Sequence, residues 1–124
     1  MSRAAAPARI DRRIDLVAHA LADGTRRGLL RLVRDEEQSA GDLAAAFPHM
    51  TRPAVSQHLR VLDEAGLVNI RRDGNRRLYL ADAEGLTEVW DFIDSMWTDR
   101  LTKLKRAAER AEREERKPPK RSKT

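Results

Sequence analysis

Apolar residues recur along this chain at two different spacings, and the changes between them mark its elements. Over residues 10–22, Ile10, Ile14, Val17 and Leu21 return at helical intervals and predict a first helix with one apolar face. Asp23-Gly24-Thr25 breaks that helix and starts a second, in which Leu29, Leu30, Leu32 and Val33 lie among Arg26, Arg27, Arg31 and Arg34. Those arginines are expected to pair with nearby carboxylates at the surface. Ser39 is placed to cap a short third helix over residues 40–47, with Leu43 and Phe47 inward. Pro48-His49-Met50 then turns the chain into a fourth helix. Its limits are well marked, with Thr51 as N-cap, Pro53 in the first turn and Gly66 just past the end. Along it Val55, Leu59 and Leu62 form an apolar stripe, while Arg52, Ser56, Gln57 and Arg60 fall on the opposite side.

After Gly66 the period shortens to two. Residues 67–70 alternate, a polar run from Arg71 to Arg77 interrupts, and Leu78-Tyr79-Leu80 resumes the alternation, which predicts a β-hairpin with Gly74 at a positive-φ position. From about residue 83 helical spacing returns in a long final helix capped by Asp82. There Leu86, Trp90, Ile93, Trp97, Leu101 and Leu104 follow one another at intervals of 4, 3, 4, 4 and 3. Val89, Phe92 and Met96 widen this seam beyond what one small domain covers, so part of it is expected to meet a second copy of the chain. The residues assigned to that contact are Ile14, Val17, Leu86, Trp90, Ile93, Trp97 and Leu101. A tryptophan-rich stripe also suits a ligand pocket, but bulky residues at helical spacing are ordinarily packing. The expected fold is mainly α with a small β-hairpin, in the order α-α-α-α-β-β-α. Residues 1–9 are expected to be disordered, residues 10–104 to form the domain, and residues 105–124 to be a basic helical extension ending in a disordered tail.

Composition narrows the chemistry. A length of 124 residues suits one domain, and with no cysteine there is no disulfide, thiolate metal site or cysteine nucleophile. No run is apolar enough for a signal segment or a bilayer span, which points to a cytoplasmic protein without a membrane partner. The formal charge of +5 is carried by residues 105–124, where nine Lys or Arg meet four Glu. Within residues 51–77, six arginines meet only Asp63, Glu64 and Asp73, whereas residues 82–99 hold six acids and no Lys or Arg. This segregation predicts a basic face for an anionic partner and an acidic surface elsewhere.

A helix presenting Arg, Ser and Gln, followed at once by an arginine-rich hairpin, is how a winged helix grips duplex DNA. The helix fits the major groove, where those side chains hydrogen-bond base edges, and the hairpin arginines reach phosphates beside it. Arg52, Ser56, Gln57 and Arg60 are the candidate base contacts, Thr51 a candidate phosphate contact, and Arg71, Arg72, Arg76 and Arg77 the candidate anchors on the wing. His58 is counted with this DNA-binding set, although it lies toward Leu62 and Ala65, a position that favours a partly buried, hydrogen-bonded role. Nothing argues for an enzyme. Ser56, His58 and Asp63 do not converge as a triad, because Ser56 and His58 sit two apart on one helix, and there is no phosphate-cradling glycine loop. No cofactor is expected. The competing reading is a winged-helix protein-interaction module without DNA binding, a role that has no need of arginines on both helix and wing.

The stretches Leu21-Ala-Asp-Gly-Thr-Arg-Arg27 and Arg52-Pro-Ala-Val-Ser-Gln-His-Leu-Arg-Val-Leu-Asp-Glu-Ala-Gly-Leu-Val68, with the wing from Arg71 to Leu80, resemble the ArsR/SmtB family of winged helix-turn-helix repressors. The resemblance covers roughly residues 10–104. It implies a homodimer, joined by its first and last helices, that represses transcription from a palindromic operator. Many members sense metals through a Cys-rich motif before the recognition helix, or through His and carboxylates on the last helix. Here residues 39–47 hold no ligand cluster and residues 82–116 no His, so the similarity is to the metal-free branch, with an unknown inducer.

Overall fold

A computed structural model describes residues 2–116, with side chains from residue 8 onward. Helix α1 runs over Ser2–Leu21 and α2 over Gly24–Leu32. The first helix therefore begins at Ser2, before the residues where apolar periodicity sets in, and the leading segment expected to lack structure continues it. Alanines at 4, 5, 6 and 8 have the highest helix propensity and favour this extension, against Pro7, which removes one main-chain donor from it. Asp23 caps α2, its carboxylate accepting from the amides of Thr25 and Arg26 at 2.8 and 3.1 Å. Those bonds, that of Arg26 foremost, hold the carboxyl below its ordinary range.

Strand β1 is only Gln38–Ser39, and Ser39 then caps α3, Ala40–Ala45, through the Asp42 amide. Helix α4 spans Arg52–Glu64 with the Thr51 hydroxyl accepting from the Ala54 amide, and the chain leaves it at Gly66 with φ 74°. Strands β2, Val68–Asp73, and β3, Arg76–Ala81, pair antiparallel with Asp73 opposite Arg76, leaving Gly74 (φ 62°) and Asn75 as the turn. A positive φ at the first turn residue alone is the pattern of a two-residue hairpin of type II′. The hairpin is not isolated, because β1 pairs with β3 through Gln38–Tyr79 and Ser39–Leu78 and makes a three-stranded sheet in the order β1-β3-β2. Asp82 caps as expected, but the turn it starts is a 3₁₀ helix, Ala83–Leu86, and α5 proper is Thr87–Arg116.

Residues 1–90 and 91–124 form two separate units. In the first, Val17 and Ala20 of α1, Leu29, Leu43, the α4 stripe Val55, Leu59 and Leu62, and Leu67, Val68 and Tyr79 of the sheet region make one apolar core. The end of β3 is tied into it by main-chain bonds from Ala81 to Val33 and from Asp82 to Leu67, both 2.9 Å. Val17 is only 1% exposed within the single chain, so it belongs to this core and has no surface left for a second copy, contrary to its assignment from the seam. The α2 arginines also differ from expectation. Arg34 pairs with Asp35, but Arg26 is buried and both it and Arg27 donate to main-chain carbonyls at the end of α1. At a helix end the last carbonyls are short of amide partners, and guanidinium groups supply further donors here, the His19 carbonyl also accepting from the Ala22 amide at 3.2 Å.

The second unit is the rest of α5. No residue of that helix is buried, and Phe92 and Trp97 meet edge to face with ring centres 6.0 Å apart. Among the described residues no helix is long and apolar enough to cross a membrane.

Candidate nucleic-acid interface

Helix α4 buries Val55, Leu59 and Leu62, so the helical period forces Arg52, Ser56, Gln57 and Arg60 outward, and all four are exposed. Thr51 is exposed as well, at the positive end of α4, although Pro53 has no amide hydrogen and the Ala54 amide is taken by the Thr51 hydroxyl, which leaves the Arg52 amide in the first turn for an anion. The helix stands between two grooves. One, of about 320 Å³, runs along α3 and is lined by Ala40, Gly41, Ala44, Arg52, Pro53 and Ser56. There the Arg52 guanidinium rests against Gly41, 3.4 Å from where a Cβ would stand. The other, of about 280 Å³, separates α4 from the wing and is bounded by Ser56, Arg60, Asp63, Ile70, Arg77 and Tyr79.

Strand alternation sorts the wing arginines into two faces. Arg72 and Arg77 are direct cross-strand partners and share a face with the Ile70–Tyr79 pair, on the side of the groove beside α4. Like charges placed directly opposite repel one another unless an anion lies between them. Arg71 and Arg76 occupy the other face. Arg76 is paired in register with Asp73, and Arg71 reaches across the strands to Glu37, its Nε and Nη2 each donating to a carboxylate oxygen at 3.0 Å. This forked pair holds the Glu37 carboxyl below its usual range. Arg71, expected as a phosphate anchor, is thus engaged with Glu37 in the free protein.

His58 takes the partly buried, hydrogen-bonded place that its position toward Leu62 and Ala65 favours, although it was counted with the DNA-binding set. It is half-buried, with Nδ1 3.1 Å from Nη1 of Arg26, so its ring is turned into the protein and away from a groove-filling role. The periodicity of α4 placed it on that side, but nothing in the sequence pointed to Arg26 as its partner. Among the described residues Arg52, Arg60, Arg72, Arg76 and Arg77 make no ion pair, and the basic face is built from these. No group of three or more His, Asp or Glu there converges in a way that would hold a metal ion.

The residues assigned to a contact between copies fare unevenly. Trp90, Trp97 and Leu101 are 67%, 42% and 54% exposed, Leu86 is also exposed, and Ile14 and Ile93 are half-buried. Phe92, Met96 and Leu104 add further exposed apolar surface to the same helix.

Residues 21–71 match a family described as a helix-turn-helix domain. The chain is 44% identical over 88 residues to the HTH-type transcriptional regulator Rv2034 of Mycobacterium tuberculosis, covering 71% of this chain and 81% of that one. It is similar in structure to an ArsR-like transcriptional regulator from Rhodococcus sp. RHA1, with a TM-score of 0.61 and 30% identity over 77% of this chain and 92% of the other. The homodimeric winged helix-turn-helix DNA-binding domain Mb0332 from Mycobacterium bovis, described as a possible ArsR-family regulator, gives a TM-score of 0.58 at 28% identity, covering 76% and 86%. With a buried stripe holding α4 in place, a basic exposed face and an arginine wing beside it, the chain belongs to the ArsR family of winged helix-turn-helix transcriptional regulators.

Proposed function

We propose that the protein is a homodimeric repressor that reads a palindromic operator with α4 and clamps the flanking phosphates with its wing. The observation that carries this reading is the division of labour on one face: uncharged and cationic donors on α4, and the facing Arg72–Arg77 pair across the groove. Arg52 and Gln57 contact base edges, with Ser56 and Arg60 beside them, and Thr51 holds a phosphate at the helix end. A second copy covers the apolar side of α5, as the homodimeric state of the Mycobacterium bovis neighbour supports. Two-fold symmetry then sets two α4 helices one DNA turn apart, which is why the operator is palindromic. The protein works in the cytoplasm, without a metal, in response to an unknown signal.

Helix and wing are separable by experiment. Arg52→Ala and Gln57→Ala should each cost about 1–3 kcal/mol on a selected operator and leave binding to random duplex nearly unchanged. Arg72→Ala and Arg77→Ala should weaken both duplexes alike. Gel shifts on the two DNAs, repeated with zinc and with chelator, decide it. Loss of preference confined to the wing variants would exchange the two roles, and a response to zinc would end the metal-free reading.

A further inference from the structure

Arg26 is an unusual place for a charge. Its residue is 8% exposed, yet no carboxylate forms an ion pair with it among the described residues. Instead Nε donates to the Ala20 carbonyl at 2.9 Å and Nη2 to the His19 carbonyl at 2.8 Å, both in the last turn of α1, where the helix end is partially negative. The remaining nitrogen, Nη1, lies 3.1 Å from Nδ1 of His58 on α4. A guanidinium only donates, so Nδ1 is the acceptor and the imidazole is neutral with its proton on Nε2. One rigid, planar group therefore registers α4 against the end of α1 from its seat on α2.

The surroundings of His58 give this bond a direction. From α2, Arg26 meets the imidazole directly and the Asp23 carboxylate acts on it through space, while α1 presents the His19 carbonyl to Arg26. The residues one turn away on α4 itself, Ala54, Val55, Val61 and Leu62, carry no charge. The Asp23 carboxylate favours an imidazolium, but it is already engaged by two main-chain amides. The guanidinium is in direct contact, and a proton on Nδ1 would both remove its acceptor and place two cations side by side.

We propose that Arg26 and His58 are positioning residues that set the angle of α4 in the groove, through a hydrogen bond that holds only while His58 is neutral. The proposal rests on the reading of α4 as the base-contacting helix. Neither residue touches DNA. Operator preference then requires the acceptor at Nδ1 and declines when that nitrogen carries a proton, while attachment through the wing continues.

The test compares wild type, His58→Asn and His58→Leu. Asparagine puts its side-chain oxygen close to the place of Nδ1 and keeps an acceptor that does not titrate, and leucine keeps bulk alone. The probes are a duplex that wild type selects from a pool with a randomised centre, and a random duplex, compared by gel shift at about pH 8 and about pH 5.5, within the span over which histidine titrates. Wild type should lose on the order of tenfold in preference on acidification, an energy of about 1.4 kcal/mol. His58→Asn should keep its preference at both values. His58→Leu should lack it at both, with unchanged affinity for the random duplex. Unaltered preference in His58→Leu, or an acid loss in His58→Asn equal to that of wild type, overturns the positioning role and leaves the reading of α4 standing. Failure of wild type to select any sequence overturns both. Should His58→Leu not fold, the other two proteins decide through their pH profiles, together with ¹⁵N NMR of the wild-type ring. A proton on Nε2 supports the bond, and one on Nδ1 overturns it.

Discussion

Gly85 matters through the side chain it lacks. A Cβ at that position would lie 2.0 Å from the Gly66 carbonyl oxygen and 3.2 Å from the Leu67 nitrogen, so the turn before α5 crosses main chain against main chain at the end of α4. No side chain could bend aside to make room. Gly85→Ala should destabilise the fold by about 1–3 kcal/mol or more, since the backbone itself must shift. Chemical denaturation reads this as a lower midpoint, and an unchanged midpoint would mean that the crossing yields freely. Arg26 is the counterpart, a charged side chain on a buried face. Its spacing of three, four and seven residues to Leu29, Leu30 and Val33 puts it in line with the apolar stripe of α2, unlike Arg31, but that spacing does not name the groups that satisfy its charge. What buries it is a pair of main-chain carbonyls ending the previous helix, and carbonyls are the same whatever residues carry them.

Among the elements, legibility followed the number of independent signals. Thr51, Pro53, the apolar stripe and Gly66 all agree on α4, and the alternation on either side of Gly74 fixes the hairpin register. Strand β1 was illegible because two residues have no periodicity, and its pairing with β3 is set by where α3 and the sheet already lie. The wing arginines were visible as a group, but their division into two faces and the tie of Arg71 to Glu37 depend on register and on a residue 34 positions away. In α5 the seam was plain, yet which part each surface serves was not, and Val17 of α1, assigned to the same contact, went to the core instead. Trp90, Met96, Trp97, Leu101 and Leu104 remain largely exposed on a helix with no buried residue. So much apolar surface on one element is ordinarily covered by another chain. Trp97→Glu should therefore convert a dimer into monomers in sedimentation experiments, with the winged domain still folded by circular dichroism. A wild-type protein already monomeric at micromolar concentration would contradict this role for α5.

Across the whole molecule, charge is arranged rather than accumulated. The basic stretch over residues 51–77 carries α4 and the wing, the acidic stretch over residues 82–99 belongs to the connection and α5, and the formal excess of +5 sits in the last twenty residues. A local basic excess of this kind attracts an anionic polymer to the stretch that carries it. Within it, the forked Glu37–Arg71 pair has a consequence for thermodynamics in salt. Each arginine that neutralises a phosphate frees a condensed cation from the duplex, and the gain from that release shrinks as salt is added, by about 0.9 in logarithmic slope per contact. An arginine that must first abandon its own carboxylate exchanges one anion for another and leaves Glu37 uncompensated beside the phosphates. Arg71 should thus add little to the slope, and the wing should register as three charges per subunit. Glu37→Gln would release the fourth. Binding to random duplex should tighten at low salt and fall more steeply as salt rises, by close to one further unit of slope for each wing engaged, which makes Glu37 a brake on indiscriminate attachment to DNA.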